Sequence, residues 1–189
     1  MHTNWFPDKY SEVTEQHFIL NQCFQAFIPE AAYLHFFHDN PFSQPIRLQI
    51  DWTSPDARIT KSTLLSEDRI SLESGFLGLS NSTALFKAAQ RLKVTLLDLK
   101  APPVNARDGS IFEICIGRNE SKLSFKWWEA DTPTDWAQLD KLASLILKLE
   151  AEADYSKKTI LEYSIEKEVK GSTFEGEKSM FISYKEVQQ

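Results

Sequence analysis

The chain has little of what usually announces a chemical activity. Its only two cysteines are Cys23, in an apolar run with helical spacing, and Cys115, in a run that alternates like a strand. Two free, buried thiols are therefore expected, rather than a disulfide framework or a thiolate metal site. No apolar run approaches the roughly 20 residues of a membrane span. The opening Met-His-Thr-Asn-Trp-Phe-Pro also lacks the basic start and apolar middle of a secretion signal. A cytoplasmic location, without a membrane partner, is the expectation. Clustered cations are missing too. Lys and Arg are scattered through a chain of net charge −6, so nucleic acid is not an expected partner either.

Catalytic signatures are equally scarce. Ser74-Gly75-Phe76-Leu77-Gly78 places two glycines around a bulky apolar pair. A nucleophile elbow needs Gly-x-Ser-x-Gly with the serine central. A phosphate loop needs more glycines and a Lys-Ser/Thr pair at a helix start. His35-Phe36-Phe37-His38-Asp39 sets two imidazoles at i and i+3, close enough on a helix to share a cation with a neighbouring carboxylate. Histidine near a helix C-terminus is equally explained by the helix dipole, and no His-Glu-x-x-His pattern accompanies the pair. Asp51, Asp56, Glu67, Asp68 and Glu73 read as solvated surface carboxylates. Neither a catalytic residue, a metal site nor a cofactor is expected.

What the chain does have is a core. Hydrophobic residues make up 42% of its 189 positions and aromatic residues 12%, enough for one domain of this length. Phe112, Ile114 and Ile116 alternate with Glu113 and Cys115, and Leu123, Phe125 and Trp127 alternate with Ser124, Lys126 and Trp128, which predicts a strand pair around a turn over 117–120. Thr132 followed by Pro133 and Asp135 predicts a helix start. Trp136, Leu139, Leu142, Ala143, Ile146 and Leu149 then lay an apolar stripe along that helix.

Neighbouring strand residues face opposite sides, so Trp127 and Trp128 cannot share one core. Trp128 either covers the helix N-terminus or the loop over 129–133, or serves as an interface anchor. Upstream, Ile46, Leu48, Ile50 and Trp52 alternate with Arg47, Gln49 and Asp51 as a strand. Ser54-Pro55-Asp56 marks a turn, 58–63 and 69–73 are further strands, and Asn81 or Ser82 can cap a helix through 84–92.

The N-terminal part reads as helical, over Ser11–Ile28 and again over Pro29–Phe37 after the break at Pro29. After Glu150, Ile160–Val169 and Ser179–Val187 read as a β-hairpin around 171–176. Two strands alone are marginal in water, so the hairpin needs a partner surface. The expected architecture is α+β: a mainly antiparallel sheet packed against two helices, with a helical segment over 1–45, an α+β core over 46–150 and a C-terminal hairpin over 151–189, all in one domain.

The order of these signals resembles the emfourins, small bacterial protein inhibitors of thermolysin-like metallopeptidases. The matching residues are Arg69-Ile-Ser-Leu-Glu-Ser74-Gly75-Phe76-Leu77-Gly78-Leu79, Asp108-Gly109 with Ile111-Phe112-Glu113-Ile114, and the helix over 133–149. They span residues 69–149. The turn differs from the Gly-Gly-Phe-Ala-Gly pattern of that family, with Ser74 for the first Gly and Leu77 for Ala.

The resemblance implies a protein partner of the thermolysin-like metallopeptidase class, met by a loop presenting Phe76 and Leu77. Two function classes stay open. One is a non-catalytic binding module, a peptidase inhibitor or other neutralising partner, using Ser74, Gly75, Phe76, Leu77, Gly78 and Trp128. The other is a small enzyme or ligand-binding domain using the His35/His38 region. The lack of a catalytic constellation favours the first. The oligomeric state is not legible in the sequence.

Overall fold

A computed structural model of the protein describes residues 32–40, 43–66, 68–92, 110–118, 121–129, 136–170 and 177–187. The expected helix over Ser11–Ile28, Cys23, the Thr132-Pro133 cap and the hairpin turn at 171–176 lie outside these residues. Among the described residues eight strands form one sheet: β1 (Ala32–Asp39), β2 (Ile46–Trp52), β3 (Arg58–Ser66), β4 (Arg69–Phe76), β5 (Ile111–Arg118), β6 (Ser121–Trp128), β7 (Asp154–Lys170) and β8 (Glu177–Glu186). Their spatial order is β6-β5-β1-β2-β3-β4-β7-β8, and every neighbouring pair is antiparallel. Among the described residues there are two helices, α1 (Leu79–Gln90) and α2 (Ala137–Glu152). The architecture is α+β. No described helix is long and apolar enough to cross a membrane.

Both helices pack on one face of the sheet. Leu34 and Phe36 of β1, Leu48 and Ile50 of β2, Ile59 of β3, Phe112 and Ile114 of β5, and Phe125 and Trp127 of β6 join Leu85 of α1 and the α2 stripe in one buried cluster. The stripe is the expected one: Leu139, Leu142, Ala143, Ile146 and Leu149 are all buried. Trp136 closes its N-terminal end, edge-on to Phe125 and Trp127. Two polar ties fix α2 on the sheet. The Trp127 indole N–H donates to Asp140 (2.8 Å), and the Lys61 ammonium meets Glu150 (2.7 Å).

The N-terminal part departs from expectation. Residues Ala32–Asp39, expected to fall largely in a helix over Pro29–Phe37, form β1, which pairs with β2 on one side and β5 on the other. A central strand is buried on both faces, so its sequence shows a continuous apolar run in place of alternation. Tyr33, Leu34, Phe36 and Phe37 are all buried, and the aromatic content favours a strand over a helix. The sheet thus runs through all three parts expected from the sequence, since β1 belongs to the first and β7 and β8 to the last.

The second face carries a polar layer. Arg47, Gln49 and Asp51, which the alternation of β2 places opposite the helices, are buried. The Gln49 amide donates to both carboxylate oxygens of Asp51 (2.8 and 3.1 Å). Asp51 was expected on a solvated surface. Burial pushes its carboxyl above the ordinary value, against the Gln49 hydrogen bond and the charge of Arg58.

Candidate interaction groove

The junction of β4 and α1 is where the structure revises the sequence reading most. Ser74 and Gly75 are strand residues, paired with Thr60 and Ile59 of β3, rather than part of a turn. The pairing of β4 with β7 shifts register between Ser74 and Phe76, so Gly75 sits at a β-bulge. A Cβ on Gly75 would run into the carbonyl of Asp154, so glycine here permits close approach of two strands. Gly78 is the residue before α1 and holds φ at 71°, a region that favours glycine.

Helix α1 therefore starts at Leu79, earlier than a cap at Asn81 or Ser82 would place it. The bulky pair is split. Phe76 is 57% exposed, whereas Leu77 is 5% exposed and belongs to the core. The Leu77 N–H donates to the carbonyl of Ala57 (3.0 Å), which ties the junction to the segment leading into β3.

Ser82 does a different job from capping. Its hydroxyl accepts the N–H of Ala57 (3.1 Å), and its carbonyl accepts the Trp52 indole N–H (3.4 Å). These bonds hold α1 against the end of β2 and the turn after it. The spacing of Leu79, Thr83, Phe86, Lys87 and Gln90 places them along one side of the helix. Between that side and Trp52, Ser54 and Pro55 runs an open groove of about 410 Å³.

Its aromatic pair is Trp52 and Phe86, with ring centroids 5.4 Å apart and planes at 60°. Leu79, at the start of the helix, is 59% exposed. Ser82 and Leu85 of α1 are buried and Ala88 and Ala89 pack against the core, whereas Leu79 and Phe86 line the groove. Among the described residues the lining includes no carboxylate and one cation, Lys87.

Of the other residues singled out in the sequence, His35 and His38 lie on β1, where an i, i+3 pair points to opposite faces. His35 contacts the Tyr33 ring, while His38 stacks on Phe112 at 4.8 Å and 11°. The shared-cation geometry expected from a helix is not formed. Among the described residues no group of His, Cys, Asp and Glu is arranged to hold a metal ion. Burial lowers the affinity of His38 for a proton, opposed by the charge of Glu129.

Cys115 is free and half-buried, opposite His35 in register. Trp128 pairs with Ile111 through its backbone, and its side chain lies outside the described residues. The groove was missed because Trp52, Pro55, Leu79 and Phe86 are spread along the chain. The available signal was the spacing of Leu79, Thr83, Phe86 and Gln90, a second apolar-polar stripe beside the core stripe of α1.

Comparison of the chain with protein-family models, with curated proteins and with solved structures finds no match. Chemically, the groove offers dispersion and hydrophobic contact from two aromatic rings and a leucine, with hydroxyl and amide groups at its margin. It is open, so a small molecule lying in it would stay largely wetted, whereas pockets for small ligands usually bury most of the ligand. A protruding side chain on a protein partner brings its own cover.

Proposed function

We propose that the protein is a non-catalytic protein-binding module that grips an apolar side chain of its partner in the groove between Trp52 and Phe86. The observation that carries this reading is the apolar surface that Leu79 and Phe86 leave at the groove, outside the core. The helix packs Leu85, Ala88 and Ala89 inward and exposes Leu79 beside an aromatic pair, on elements tied together by the Ser82 and Leu77 hydrogen bonds. Interface hot spots are well-packed aromatic and aliphatic pockets of this kind, and a groove positioned by fixed elements loses little entropy on docking.

The test is affinity capture from a lysate of the source cell, with mass spectrometry, comparing wild type with Leu79→Asp and Phe86→Ala. A partner retained by wild type and lost by both variants, at unchanged thermal unfolding of Leu79→Asp, is the expected result. Identical capture by all three chains would remove the groove from the contact surface.

The exposure of Phe76 favours a second form of the same proposal, inhibition of a thermolysin-like metallopeptidase. With Leu77 in the core, Phe76 is the apolar side chain left to enter an enzyme cleft. Phe76→Ala should then weaken inhibition by roughly 2 kcal/mol or more while sparing the fold. Peptide cleavage that is not slowed by micromolar excess of the protein would dismiss this form and leave the groove reading standing.

A further inference from the structure

We infer that the segment taken by the groove is acidic as well as apolar: a bulky aliphatic or aromatic side chain with a carboxylate one or two residues away. This rests on the groove being a protein-binding site and adds the chemistry of its partner. The argument is charge complementarity. Although the chain carries a net charge of −6, α1 contains no acidic residue, and Arg91 follows directly at its C-terminal end. Asp56 follows Pro55 in the turn but does not line the groove.

Lys87 stands on the rim and forms no ion pair with any described residue. Leu79, Thr83 and Lys87 recur every fourth residue, so successive members are about one 5.4 Å turn apart along the same side of the helix. An extended peptide advances about 3.3 Å per residue, so two residues beyond an apolar side chain held between Trp52 and Phe86 a carboxylate comes within reach of the Lys87 ammonium. A basic residue at that place would meet Lys87 and Arg91 in turn. The surface thus discriminates by repulsion as well as attraction.

The experiment uses the full chain labelled with nitrogen-15 and three capped peptides with one central Phe. Two residues after the Phe they carry Glu, Gln or Lys. Binding is read from the Trp52 indole resonance, assigned by its loss in Trp52→Phe. The Glu peptide should bind about 2- to 5-fold more tightly than the Gln peptide at low salt. The Lys peptide should be weaker than the Gln peptide, and the differences should collapse in 0.5 M NaCl, where screening shortens to a few ångström. Lys87→Glu should reverse the order of the Glu and Lys peptides.

Equal affinity for all three peptides would overturn the acidic partner while leaving the groove as a binding site. If no peptide moves the Trp52 resonance at millimolar concentration, both readings fall. Phenylpropionate binding as tightly as the Glu peptide would assign the groove to small apolar acids instead. Concentration-dependent broadening of Trp52 without any peptide would assign it to a second copy of this chain.

Discussion

A buried carboxylate and a half-buried imidazole give the protein opposite responses to acid. Asp51 has its proton affinity raised by burial, so its ionised form is less favourable folded than unfolded. As pH rises from the ordinary value of 3.8 through the raised one, the unfolded chain releases this proton first and stability falls. Asp51→Asn keeps an acceptor for the Gln49 amide and removes the buried charge. Urea unfolding should find this variant more stable than wild type at pH 7, with the advantage fading as pH approaches 3.8.

His38 runs the other way. Burial beside Phe112 depresses its proton affinity, so its contribution is complete above 6.5 and is lost as pH falls from there through the depressed value. His38→Phe should flatten that acid-side loss without disturbing the stack. A variant whose stability falls as steeply as wild type when pH drops below 6.5 would show that His38 is not the group responsible.

At the scale of single elements, two glycines do what a turn was expected to do. Gly75 lets β7 approach β4 at a bulge, and Gly78 sets the backbone that launches α1. Gly75→Ala forces its methyl group against a backbone carbonyl that no side-chain rotation can relieve. It should cost at least the roughly 1–3 kcal/mol of an overpacked site. Gly78→Ala meets no neighbour within 4 Å, and its cost is the positive φ alone, of order 1 kcal/mol. Denaturant midpoints of the two variants should separate in that order.

A glycine pair around Phe-Leu looks the same in sequence whether it bends a loop or admits a strand, because the neighbour that decides lies far along the chain at Asp154. Helix α2 was legible for the opposite reason, since its stripe from Leu139 to Leu149 is a local period that needs no distant neighbour to be read. Trp136→Ala, which removes a buried indole packed edge-on to two other rings, should destabilise by about 3–5 kcal/mol. It should not change which peptides the groove accepts, because Trp136 does not line it.

For the whole molecule, the position of β1 decides what can be cut away. Sequence reasoning separates residues 1–45 as a helical segment ahead of an α+β core, because aromatic side chains at Tyr33, Phe36 and Phe37 blur the period of two that marks β2 and β5. In the fold, β1 lies between β5 and β2, and Leu34 and Phe36 are in the main core. A chain beginning at Ser43 would leave β5 and β6 without a ladder to β2, expose two polar strand edges and open the centre of the core.

Such a truncated protein should lose cooperative thermal unfolding and the near-ultraviolet signal of its packed tryptophans. Adding back a peptide spanning 32–40 should restore part of both, since the missing strand is specified on both sides by register with β2 and β5. A truncated chain that unfolds cooperatively with a native-like midpoint would mean that the rest of the sheet closes without β1. The central pairing described here would then not be what holds the two halves of the sheet together.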